Sequence, residues 1–237
     1  MNSQAIFSII NQLSFDIPAF IIAILWHEYF HVATARKLMG NEAGAHIKFR
    51  PISHLDLVGT LLPVALVISG YPIVFGWGKD LQMSFADSER KRSCEIIFSL
   101  SGIIGSLFLC LITGLFISLI PKFELLFSLT TKSAGIFAYT FIFRLFSISL
   151  AIMLVNFLPI PPFDGARLMF SFFEKYLKPY QEKLQILGLL IVVTLILTGI
   201  AGIIFIVPYT QITNLLCGAF APYVLSPGSF AADFLAR

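Results

Sequence analysis

"LWHEYFHVATARKLMG", residues 25–40, sets three ionisable groups, His27, Glu28 and His31, among apolar neighbours. The spacing predicts a helix, and on a helix positions i and i+4 share one face, so His27 and His31 point the same way. The flanking residues extend the apolar run from Ile17 to Leu38, long enough to cross a bilayer, which takes about 20 residues. A charged group at the bilayer centre costs about 3 kcal/mol on insertion scales. Something must offset that cost, and the rest of the chain has to supply it.

Composition fixes the class. The 237-residue chain is 57% hydrophobic, has a mean hydropathy of +0.89, and only 12% of its residues are Asp, Glu, Lys or Arg. Soluble domains carry about twice that charged fraction. Four more long apolar stretches follow the first: Leu57 to Gly78, Ile96 to Pro121, Ser133 to Phe163 and Ile186 to Tyr209. The expected fold is an all-α polytopic membrane protein of five to six transmembrane helices. Short β-strands or hairpins at the membrane edge are expected at 46–49 and 81–85, where the pattern alternates. Residues 1–237 read as a single membrane-embedded domain, with a core at 17–170 and peripheral helices at 171–237. The start of the chain has no basic region and no small-residue cleavage site, so no cleavable signal peptide is expected. It reads either as an interfacial lead-in helix or as a frayed end. The tail from 210 reads as a sixth span, a re-entrant element or a surface segment.

The formal charge of +3 is small and scattered, so no nucleic-acid partner is expected. The one tight basic run, "ERKR" at 89–92, suits a phospholipid surface. Lys and Arg divide almost evenly between the two faces, so the positive-inside rule gives no orientation. Cys94, Cys110 and Cys217 form no metal or redox spacing.

H-E-x-x-H on a helix is a zinc-binding pattern: both imidazoles reach one ion, and the intervening Glu stands beside the water as general base. The competing reading is polar contact between helices. A catalytic zinc needs a third protein ligand and one open position. Asp164, in "NFLPIPPFDGARL" (156–168), is the best candidate. Prolines at 159, 161 and 162 break the fourth span there, and Gly165 would permit a turn that aims the carboxylate inward. Alone, Asp-Gly could equally be a surface turn.

HEYFH on an early helix, with Asn156, Pro159, Asp164 and Gly165 on a later one, resembles the site-2 protease family of intramembrane zinc metalloproteases. "RPISHLDLVGTLL" (50–62) and "FGWGKDLQM" (75–83) are similar to its compact prokaryotic branch, which lacks a PDZ domain; that branch usually has proline where Asp80 stands. The likeness covers residues 17 to about 170. "SGIIGS" (101–106) departs from the family, whose third core helix often carries a small-Gly-Pro-x-x-Asn motif; its small residues still allow close helix packing.

The resemblance implies one Zn²⁺ per chain on His27, His31 and Asp164, with Glu28 as general base. It implies cleavage of a peptide bond within or near a transmembrane segment, in a membrane protein or a remnant peptide. The expected location is a multi-pass protein of a prokaryotic cell membrane. Asn156 is the first candidate for an oxyanion donor, against a plain helix–helix hydrogen bond. His54 is the second, with Asp56 fixing its tautomer, against an interfacial loop with capping duties. Arg144, inside the fourth span, should find a partner or snorkel to an edge. Rival readings are a catalytically inactive zinc-binding scaffold, which would be expected to lose Glu28 first, and a metal transporter, which would spread ligands over successive spans. Substrate identity and oligomeric state are not readable.

Overall fold

The computed structural model describes residues 3–70, 74–79, 91–119 and 133–217. Its elements are α1 (Ser3–Ala45), a 3-10 turn (Pro51–His54), α2 (Leu57–Ile68), α3 (Lys91–Leu119), α4 (Ser133–Asn156), α5 (Asp164–Leu177), α6 (Gln181–Leu197) and α7 (Ile200–Cys217). Among the described residues three helical stretches are long and apolar enough to cross a membrane: Ile6–Gly40, Lys91–Leu119 and Phe137–Asn156. They pack on one another through Ala19, Phe20, Ala23 and Ile24 of α1, Leu109 of α3, and Ile148 and Ile152 of α4. Large apolar side chains such as Phe108, Leu115 and Phe116 face outward. That arrangement suits a lipid surround.

The other two apolar stretches fold differently from the spans expected of them. Leu57 to Gly78 yields the 12-residue helix α2, about 18 Å long at 1.5 Å per residue, too short to cross. A turn at Ser69–Gly70, with Gly70 at φ +67°, ends it. Residues 74–79 then run back without helix, and Gly78 bridges antiparallel to Leu55. Ile186 to Tyr209 is cut at Gly199 (φ +73°) into α6 and α7. Apolar length was there, but a left-handed glycine stopped each helix.

The expected strand at 46–49 is a turn followed by irregular chain, with no ladder among the described residues. An isolated strand segment without a partner cannot satisfy its backbone groups. The strand expected at 81–85 and the tail beyond 217 lie outside the described residues. The N-terminal lead-in is continuous with α1: Ile9 and Leu13 pack on the core, while Phe7 and Ile10 face outward.

Arg144 of α4 does find a partner. Its Nε lies 3.5 Å from Oδ1 of Asp16 on α1, and Asp16 is fully buried. α4 ends at Asn156, the chain turns through the prolines, and α5 starts at Asp164. That break brings a carboxylate back to the level of HEYFH.

Candidate metal centre

α1 carries His27, Glu28 and His31, all buried. The Nε2 atoms of His27 and His31 are 3.2 Å apart, and Asp164 Oδ2 lies 3.2 Å and 3.1 Å from them. So the structure brings together the three side chains singled out as ligands, from positions 27, 31 and 164.

Hydrogen bonding on the far side of the His31 ring fixes its tautomer. His31 Nδ1 lies 3.1 Å from the Phe98 carbonyl, which can only accept, so Nδ1 carries the hydrogen. In the neutral imidazole, Nε2 is then a bare lone pair. It faces another imidazole nitrogen and a carboxylate oxygen, so three potential ligand atoms converge on one point. A cation there would be met by all three. The spacing fits zinc: tetrahedral ligands at about 2.0 Å from an ion stand about 3.3 Å from one another. His27 Nδ1 lies 3.0 Å from Ser106 Oγ, so both rings are held from behind. Burial alone would raise the Asp164 pKa. The adjoining His31 and His27 imidazoles more than reverse this, and its carboxyl sits well below the ordinary range.

Glu28 lies on the same helix, next to His27 in sequence. The chain at 74–79 comes close against it: a Cβ on Gly78 would fall 2.1 Å from Glu28 Oε1, so a larger residue there would displace the carboxylate. The Lys79 amide donates to the His54 carbonyl at 2.7 Å, which ties this segment to the 3-10 turn. His54 is buried, stacks on Phe49, and sets Nδ1 3.9 Å from Glu28 Oε2. Its Nε2 is buried without a hydrogen-bond partner. Burial, and His31 nearby, push the His54 imidazole below its ordinary value, which favours the neutral ring.

Two sequence expectations change here. Asp56 does not orient His54. Its Oδ1 accepts from the Gly59 amide at 2.7 Å and caps α2, since a helix start needs an acceptor for its free amides. Gly165 is not a left-handed turn residue either. A Cβ there would meet the Leu158 carbonyl oxygen at 2.4 Å, so its role is close approach. Asn156 is buried; its Nδ2 donates to the Ile152 carbonyl at 2.9 Å, and its Oδ1 accepts from the Asp164 amide at 3.3 Å. It therefore ties the Asp164 backbone to the end of α4. His46 is exposed in a turn.

Sequence reasoning missed the α3 partners. Ser106, Ser101 and the Phe98 carbonyl contact the histidines, and Gly102 lets α3 lie against them. The signal was present in "SGIIGS": Ser101, Gly102, Gly105 and Ser106 share one helix face. A cavity of about 620 Å³ reaches Asp164 from outside, lined also by Asp56, Trp77, Glu95, Arg167 and Gln181.

Known proteins resemble this chain. The model of peptidase family M50 matches residues 57–199, which takes in Asn156 and Asp164 and begins after HEYFH. A protein of Bacillus subtilis (strain 168) named "Putative zinc metalloprotease YwhC" is 23% identical over 195 residues, covering 81% of this chain and 84% of that protein. No solved structure matches. With more than half its length matched, and with HEYFH and Asp164 converging on one point, this chain belongs to peptidase family M50, the site-2 protease family.

Proposed function

We propose that this protein is an intramembrane zinc metalloendopeptidase, which hydrolyses peptide bonds within or near transmembrane segments of membrane-protein substrates. The observation that carries the reading is the triangle of His27 Nε2, His31 Nε2 and Asp164 Oδ2, with sides of 3.1–3.2 Å, its two histidines on a helix long enough to cross a bilayer. Those three side chains would hold one Zn²⁺ per chain. Zinc, when bound, lowers the pKa of water toward about 7 and polarises a carbonyl.

The chain's own residues supply the proton traffic. Glu28 accepts the proton of the attacking water and delivers it to the departing amine. Burial keeps its carboxylate from competing solvent. Asn156 fixes the Asp164 backbone and retains one Nδ2 hydrogen that its bond to Ile152 does not use, so it can also donate to the developing oxyanion. His54, whose buried Nε2 has no hydrogen-bond partner, is the second candidate, and it donates there in the tautomer that carries its hydrogen on Nε2. The non-helical run at 74–79 borders Glu28 and pairs with the chain at Leu55 through one bridge. A locally unwound substrate adds there as a further strand, because a helix cannot be cut while its backbone is folded.

Residues 1–237 form one membrane domain, in which α2, α6 and α7 complete a multi-pass body of five to six inserted segments. The setting is a prokaryotic cell membrane. The substrate is a transmembrane protein or the remnant left by an earlier cut. The test is to purify wild type and Glu28→Gln, measure zinc in each, and incubate both with a transmembrane test substrate. Equal zinc and cleavage by wild type alone support the proposal. Equal cleavage by both rejects Glu28 as the base, and zinc without cleavage of any substrate favours the scaffold.

A further inference from the structure

Arg167 stands three residues after Asp164 on α5, so the two share a face one turn apart. Its guanidinium lies 4.7 Å from the centre of the Phe98 ring, and its Nε is 3.8 Å from Glu95 Oε2. Phe98 is buried on α3 and does two things for His31. Its ring packs against the imidazole, with centroids 4.8 Å apart, and its carbonyl holds Nδ1. α5 thus reaches His31 twice: directly through Asp164, and one turn on through Arg167 and Phe98.

We propose that Arg167 is a positioning residue of the metal centre: by stacking on Phe98 it fixes the orientation of His31 and clamps α5, with Asp164, against α3. This rests on the reading of His27, His31 and Asp164 as zinc ligands. A flat guanidinium can cover a ring while a second edge meets a carboxylate. A lysine ammonium keeps the charge for Glu95 but does not stack flat. Arg92 lies over Phe172 at 4.8 Å on the same two helices, with no metal ligand attached to that pair. It is the natural control.

The full chain, in detergent or lipid discs, is compared as Arg167→Met, Arg167→Lys, Phe98→Leu, the Arg167→Met/Phe98→Leu double variant and Arg92→Met. Three readings are taken: Zn²⁺ affinity by competition with a chelator, the visible spectrum of the Co²⁺-loaded protein, and kcat and KM on a transmembrane test substrate. Partners of metal ligands are worth about 10- to 100-fold in affinity or activity. Arg167→Met and Phe98→Leu should each weaken Zn²⁺ about tenfold, alter the Co²⁺ spectrum and lower kcat rather than raise KM. The double variant should lose no more than either single one, because both break the same link. Arg167→Lys should fall short of wild type, and Arg92→Met should match it.

A raised KM with Zn²⁺ affinity and spectrum unchanged would overturn the proposal and make Arg167 a substrate contact from the cavity wall. So would losses that multiply in the double variant, or an equal loss in Arg92→Met. If Arg167→Met fails to fold, Arg167→Lys and Phe98→Leu carry the comparison. Failure of the zinc reading itself shows separately, as a wild-type chain that binds no zinc.

Discussion

Gly102→Ala tests the packing of α3 against the metal centre. A Cβ at 102 would lie 2.3 Å from His31 Nε2 and 2.6 Å from His27 Cε1 and Nε2. Ordinary contacts begin near about 3.4 Å, so the methyl is about 1.1 Å too close to a ligand atom. Zinc–ligand distances fall within about 0.2 Å of their usual values. One response is for the imidazoles to turn off Asp164. The other is for α3 to back away, which pulls Ser106 from His27 and the Phe98 carbonyl from His31. Each route disturbs both histidines. The expected loss of zinc affinity is at least 10- to 100-fold, or about 1.4–2.7 kcal/mol. The assay is chelator competition on the purified chain, with Gly105→Ala beside it. That methyl would meet the Phe30 ring at 2.6 Å and no ligand, so stability should fall while zinc affinity stays within a few-fold. Wild-type zinc affinity in Gly102→Ala would refute the reasoning.

Ser106→Ala removes the hydrogen-bond partner of His27 Nδ1 and should weaken zinc about tenfold. Ser101→Ala should cost less, since His31 keeps the Phe98 carbonyl; the same competition assay ranks the two. Asn156→Ala frees the Asp164 amide and should lower both zinc retention and cleavage, whereas loss of cleavage alone would assign Asn156 to the oxyanion only. Asp16→Asn leaves Arg144 without its charge partner and should destabilise the chain by about 3–5 kcal/mol in denaturant unfolding. A paired Asp16→Leu/Arg144→Met change should recover most of that, because breaking a buried pair costs more than replacing it.

The three side chains that converge at the candidate metal centre were legible because each carries a local signal. His27 and His31 repeat at helical spacing in an oily segment, and Asp164 follows a proline-broken span. What the sequence left open depends on contacts between distant residues. Asp16 is the partner Arg144 needed, yet nothing near either residue points to the other. Asp56 looked like a mate for His54 two positions away, but a helix starts between 56 and 59 and takes its carboxylate. The spans at 57–78 and 186–209 were read from apolar length, which does not register a single left-handed glycine. Gly70 and Gly199 each end a helix that hydropathy alone would continue. "SGIIGS" was legible as a packing face, but its contact with the histidines appears only once α1 and α3 are side by side.

The central claim is that His27, His31 and Asp164 hold zinc while Glu28 stays free to act. X-ray absorption at the zinc edge on the purified full chain tests it most directly. The expected result is one zinc per chain with two imidazoles and oxygen donors at about 2.0–2.1 Å and no sulfur. The spectrum should be the same in Glu28→Gln, and zinc should be lost in Asp164→Ala. A sulfur ligand, or equal zinc in wild type and Asp164→Ala, would contradict the account.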